Sequence, residues 1–137
     1  MHIKMETDYA VRIVDALTRS GGRLTSEVIA RQVCITYKFA HFIMHKLIAK
    51  GIVKAYRGPS GGYELTRPAD EITLYDVTCA IEGPFVINRC TLEDTPCRRW
   101  PACECPYRNI FNRLTCYIQE QLSSVTFADV VKGNKGG

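Results

Sequence analysis

Four of the seven cysteines fall between positions 90 and 105, at Cys90, Cys97, Cys103 and Cys105. Thiolates are soft anionic donors that match iron and zinc, and several on one loop can grip a single metal or cluster. An odd total cannot pair fully into disulfides, and in a reducing compartment grouped thiols serve as metal ligands or redox sensors. The chemistry indicated is metal binding: an iron-sulfur cluster or, alternatively, a zinc held by all four thiolates. The gaps between the four do not match the paired two-residue spacing common in structural zinc sites. Catalysis has no comparable signature. The sequence shows no paired carboxylate and base, no phosphate-binding loop and no nucleophile with an obvious activating partner, so an enzyme is not expected.

These thiols must be positioned by the elements on either side. A chain of 137 residues with 46% hydrophobic content can build one real core. Thr7-Asp8 precedes Ala10, Ile13, Val14 and Leu17, a helical spacing that stops at Gly21-Gly22. Thr25 or Ser26 can cap a short helix through Val28, Ile29 and Val33. After a turn at Cys34-Ile35, Thr36 can cap a second helix reaching Lys50 and closed by Gly51. Two short helices joined by a tight turn form a helix-turn-helix. In the second, Ala40, Ile43 and Leu47 make the inward stripe, which leaves Tyr37, Lys38, His41, His45 and Lys46 on other faces.

Ile52 to Arg57 and Tyr63 to Leu65 have strand composition, and Gly58-Pro59-Ser60-Gly61-Gly62 between them suits a hairpin. This is the wing of a winged helix. Lys54, Arg57 and Arg67 make it basic where phosphates would pass. Leu74, Val77 and Ile81 mark a further short helix, Val86 to Cys105 shows no periodicity, and Pro106 suits a first helical turn. Phe111, Leu114, Ile118, Leu122 and Val125 then continue at spacings of three and four. The fold class expected is mainly α with a small β-hairpin. A winged helix-turn-helix occupies residues 1–83, a cysteine-rich loop 84–105, a dimerisation helix and C-terminal segment 106–131, and a frayed tail 132–137. The amino-terminal residues lack the apolar run of a secretory signal or membrane span, and a cytoplasmic protein without a membrane partner is expected. The net charge of +4 is mildly basic and compatible with a nucleic-acid partner.

The order of these elements, with the wing Arg57-Gly58-Pro59-Ser60-Gly61-Gly62-Tyr63, resembles the Rrf family of winged-helix transcription regulators. Members include the iron-sulfur regulator IscR, the nitric-oxide sensor NsrR and the cysteine-metabolism regulator CymR. The resemblance runs from Met5-Glu6-Thr7-Asp8-Tyr9-Ala10 to Val125-Thr126-Phe127-Ala128-Asp129-Val130-Val131. It implies a homodimer, paired through the long helix, that binds double-stranded DNA at a palindromic operator, with repression the commoner mode. The candidate DNA contacts are then Thr36, Tyr37, Lys38, His41 and His45 on the recognition helix, with Arg57 and Ser60 on the wing.

The resemblance also implies three cysteine ligands from the loop, the last lying just before the long helix. Cys90, Cys97 and Cys105 occupy those places, with six and seven residues in the gaps. Family gaps are tighter, and Cys103, separated from Cys97 by five residues, remains the alternative to Cys105. The histidine that IscR-like members use as fourth ligand is replaced by Arg108, which cannot ligate iron. NsrR-like members use an amino-terminal aspartate of the other subunit, and Asp8 stands in the similar segment. Read from its position alone, Asp8 is an acid complementing the dipole of the first helix. Either a two-iron or a four-iron cluster is compatible with such a ligand set. A clusterless regulator responding to a metabolite, thiol oxidation or a partner enzyme is the competing expectation. Cys34, Cys79 and Cys116 are assigned structural roles.

Overall fold

The computed structural model describes residues 2–92, 97–99 and 104–133. Cys103, the alternative third ligand, lies outside the described residues, as does the end of the glycine- and lysine-rich tail.

Helix α1 spans Met5–Ser20, and its buried face of Thr7, Ala10, Ile13, Val14 and Leu17 follows the predicted spacing. Its start differs from the sequence expectation. Lys4 takes the N-cap position without a side-chain cap, and Thr7 sits fully buried inside the first turn. The reason is a partner far along the chain: the Thr7 hydroxyl donates to Glu82 Oε1 at 2.6 Å, and the Lys4 amide donates to the same oxygen at 3.0 Å. Glu82 thereby supplies the acceptor that a capping side chain would otherwise provide. Partial desolvation alone would push its carboxyl up, yet the Thr7 hydroxyl and Lys4 amide outweigh it and hold the group below its ordinary value of 4.5. A carboxyl lowered in the folded state contributes stability that is complete above the unfolded value and lost as pH falls through the folded one. Glu82→Gln is therefore expected to reduce the acid-side drop in melting temperature below about pH 5. Parallel curves for the variant and the parent protein in thermal melts would refute this.

Helix α2 (Ser26–Val33) and helix α3 (Tyr37–Ala49) form the helix-turn-helix. Thr25 and Thr36 cap them, accepting from the amides of Val28 and Phe39. Ile29 and Val33 of α2, with Ile43, Met44 and Leu47 of α3, close on the α1 face. Each fully buried aliphatic side chain contributes about 1.5–3 kcal/mol of transfer free energy.

Strands β1 (Val53–Tyr56) and β2 (Gly62–Leu65) pair antiparallel, with Val53 opposite Leu65 and Tyr56 opposite Gly62. Leu24, in the turn before α2, adds an antiparallel bridge to Tyr63, exchanging hydrogen bonds of 3.0 and 2.8 Å. Helix α4 (Leu74–Glu82) starts with a capping box between Thr73 and Asp76. Helix α5 (Pro106–Ser123) begins at the proline that the sequence marks as a first helical turn.

The apolar spacing that reaches Val125 does not stay on one helix. After Ser123 the chain turns back, Thr126 forms a second capping box with Asp129, and helix α6 (Phe127–Val131) returns to pack on α1. Phe127, 2% exposed, enters the same core as Ile13 and Leu47. Its amide donates to the Ile72 carbonyl at 3.0 Å, and Thr126 bridges Thr73. The last element of the fold thus completes the core of the first.

Candidate nucleic-acid interface and cysteine loop

The turn of the helix-turn-helix is made by Cys34, which ends α2 in the left-handed region at φ 58° and donates its amide to the carbonyls of Ala30 and Arg31. Thr36 follows, exposed, with its hydroxyl oxygen engaged in the cap of α3. Tyr37, Lys38 and His45 are exposed on α3. His41 is half-buried: its Nε2 lies 3.0 Å from the Tyr37 hydroxyl and 3.4 Å from that of Tyr63 on β2. It therefore links the recognition helix to the wing. Phe42 is 48% exposed, stacks on Phe39, and carries the Lys46 ammonium 4.6 Å above its ring. Lys46 is at the same time paired with Glu6 at 2.6 Å.

The three cations expected on the wing have different surroundings. Lys54 faces Glu64 at 3.4 Å, and Arg67 faces Asp76 at 3.4 Å while donating to the Glu71 carbonyl. Arg57 is exposed beside the wing turn with Ser60, and it has no acidic partner among the described residues. Sequence reasoning missed Arg23. It lies in the turn before α2 and yet reaches across the wing, with its guanidinium carbon 3.4 Å from the centroid of the Tyr56 ring. Only the adjoining Gly21-Gly22, which marks a turn, hints at its placement.

In the loop after α4, α5 holds the first stretch. The Ile87 amide donates to the Thr115 hydroxyl at 3.2 Å, and Gln119 Nε2 donates to the Phe85 carbonyl at 2.9 Å. Asn88 then caps a single 3-10 turn, Arg89–Thr91, by accepting from the Cys90 amide. Cys90 is half-buried, Cys97 exposed, and Cys105 half-buried at the N-cap position of α5. The donor types fit iron, since three thiols are available on one loop. Among the described residues, however, no three His, Cys, Asp or Glu side chains are gathered in one place. Asp8 projects from α1, half-exposed, and pairs with Arg12 at 2.8 Å. Cys34 and Cys116 are exposed and Cys79 is half-buried.

The exposed apolar face of α5 is not the stripe that sequence spacing suggests. Phe111, Ile118 and Leu122 are half-buried on a helix that packs against α4 and the Arg89–Thr91 turn, while Tyr107, Ile110, Leu114 and Tyr117 stand 47–67% exposed. Among the described residues, no helix is long and apolar enough to cross a membrane.

Comparison with known proteins agrees with this architecture. The solved structure of CymR, the global cysteine regulator of B. subtilis, superposes with a TM-score of 0.79 at 23% identity, covering 98% of this chain and 99% of that one. T. potens IscR superposes at 0.74 with 21% identity, covering 98% and 89%. The Rhizobium meliloti protein aau3 is 36% identical over 91 residues, which is 66% of this chain and 59% of that protein. Residues 3–133 match the model of the Rrf2 family, described as an iron-dependent transcriptional regulator. A match across that span, on a helix-turn-helix followed by a glycine-rich wing, places the chain in the Rrf2 family of helix-turn-helix transcriptional regulators, and it is not an enzyme.

Proposed function

We propose that the chain acts as a homodimeric repressor in the cytoplasm, binding a palindromic DNA operator with an affinity set by an iron-sulfur cluster. The observation that carries this reading is the pairing of two open surfaces on one chain. The polar face of α3 is exposed, as is Arg57 on the wing with no acidic partner among the described residues, and the apolar face of α5 from Tyr107 to Tyr117 has no covering element among the described residues. A second copy laid on α5 covers that face isologously and presents two recognition helices to half-sites about one helical turn apart or multiples of it. In this reading Thr36, Tyr37, Lys38, His41 and His45 meet the major groove, and Arg57 and Ser60 meet the flanking backbone and minor groove.

Cys90, Cys97 and Cys105 are the proposed ligands, with Asp8 of the partner subunit as the fourth. Bound there, the cluster supplies a centre whose oxidation state and integrity respond to redox conditions, nitric oxide or iron supply. The chain's own contribution is mechanical. Cys105 immediately precedes Pro106, so any change in its position moves the first turn of α5, and Thr115 and Gln119 carry that movement to Ile87 and Phe85. Asp8 would have to leave Arg12 to serve as a ligand, an exposed pair contributing about 1 kcal/mol or less.

The deciding experiment is anaerobic purification followed by visible absorption, metal analysis, sedimentation and DNA mobility shift. A brown dimer whose operator affinity changes about tenfold or more between loaded and cluster-free forms is expected. Cys97→Ala should behave as the cluster-free form, whereas equal operator affinity of the two forms would remove the cluster from the regulation. Stoichiometric zinc in colourless protein would favour a four-thiolate site, and metal-free protein that still binds DNA would favour the clusterless regulator.

A further inference from the structure

We infer that Arg23 is a positioning residue for DNA binding, a strut that fixes the wing against the helix-turn-helix. The inference rests on the DNA-binding reading above. Arg23 belongs to neither strand, yet its guanidinium touches every part of the hairpin. It stacks on Tyr56 of β1, donates through Nη1 to the Ser60 carbonyl in the turn at 3.2 Å, and donates through Nε to Glu64 Oε2 on β2 at 3.4 Å. The other Glu64 oxygen accepts from the Tyr56 hydroxyl at 2.7 Å and faces Lys54 at 3.4 Å. The Tyr56 hydroxyl above all, opposed by partial desolvation and aided by Lys54 and Arg23, holds the Glu64 carboxyl below its ordinary range.

A two-stranded hairpin is marginal on its own in water and needs outside bracing. The Leu24 bridge braces one edge of this wing, and Arg23 braces its face. Because Glu64 already faces its charge, Arg23 offers DNA little attraction of its own. What it offers is the placement of Arg57 and Ser60. A planar fork that stacks and donates in two directions does this, and a lysine ammonium cannot.

The test is a double-mutant cycle on a fluorescein-labelled, mixed-sequence duplex of about 30 base pairs, long enough for both half-sites. Full-length parent protein, Arg23→Ala, Arg57→Ala and the double variant are titrated over a range of salt concentrations. Each single variant is expected to bind about five- to tenfold more weakly, and the double variant about as weakly as either single one. Each should also lower the salt slope by about one phosphate contact. Arg23→Lys should not restore binding, and Tyr56→Leu, which removes the stacking platform, should lose the same roughly five- to tenfold and so replaces Arg23→Ala in the cycle if that variant does not fold. Unchanged affinity of Arg23→Ala, losses that multiply in the double variant, or full binding by Arg23→Lys each overturn the inference while leaving DNA binding intact. Parent protein that binds no duplex at low salt overturns the DNA-binding reading itself, and the inference with it.

Discussion

Phe127→Ala is expected to lower the unfolding free energy by about 3–5 kcal/mol, the range for truncating a buried aromatic side chain. The ring is 2% exposed and lies in the core formed by α1, α3 and α4. Its removal leaves a void lined by groups that other elements hold in place. Ile72 accepts the Phe127 amide, and the Thr126–Asp129 capping box fixes the entry to α6. Collapse around the void is therefore restricted, which puts the cost toward the upper part of the range. In a thermal melt this corresponds to a fall of roughly 10–20 °C for a domain of this size. Glu27→Ala, exposed on α2, serves as comparison and should change the melt by only a few degrees. A Phe127→Ala protein melting within about 2 °C of the parent would show that α6 is an ornament rather than part of the core.

Gly62→Ala is the second large effect, expected to cost about 1–3 kcal/mol and to detach the wing. Two constraints coincide at this residue. Its φ of 139° is a conformation that side chains rarely adopt, and a Cβ placed there would stand 2.7 Å from the Leu24 carbonyl oxygen and 3.1 Å from its carbon. Both obstacles are backbone, so neither can swing aside. Relief requires the Leu24–Tyr63 bridge to open, which takes β2 away from the turn before α2. Amide exchange at Leu24 and Tyr63 should accelerate markedly, and affinity for duplex DNA should fall in parallel. Gly22→Ala is the control, because nothing lies within 4 Å of its added methyl group. Protected Leu24 and Tyr63 amides in Gly62→Ala would refute the explanation.

The contrast between these positions and others shows what the sequence could disclose. Thr25, Thr36 and Pro106 act within their own helical turns, so their roles could be read locally. The wing glycines were equally legible as a turn, although the reason Gly62 must lack a side chain was not, because Leu24 lies outside the hairpin. Thr7-Asp8, just ahead of the first apolar positions, reads as the start of the helix because such residues are common there. The partner of Thr7, Glu82, is 75 residues away, and no local pattern reports such a pair. Helix α6 has only five residues, too few to set a period, and its spacing merged with that of α5. The candidate ligands are recognisable by type, whereas the proposed assembly would need the loop and, for Asp8, a second chain. The offset apolar face of α5 was hidden for a related reason: periodicity finds a stripe but cannot say which part of it the chain covers for itself.

The return of α6 to the first core has a consequence for how such proteins diversify. The segment carrying the cysteines and α5 departs at Gly83, beyond one end of α4, and rejoins at Val125, whose carbonyl accepts from the Leu74 amide at the other end. Both splice points belong to a single helix of 9 residues, about 13 Å long. A replacement segment therefore has to satisfy one distance and two junctions, while the reading head keeps its N- and C-terminal parts. The architecture is that of an insertion, and the segment between the two junctions can differ in length and chemistry without disturbing the packing of α1 on α4 and α6.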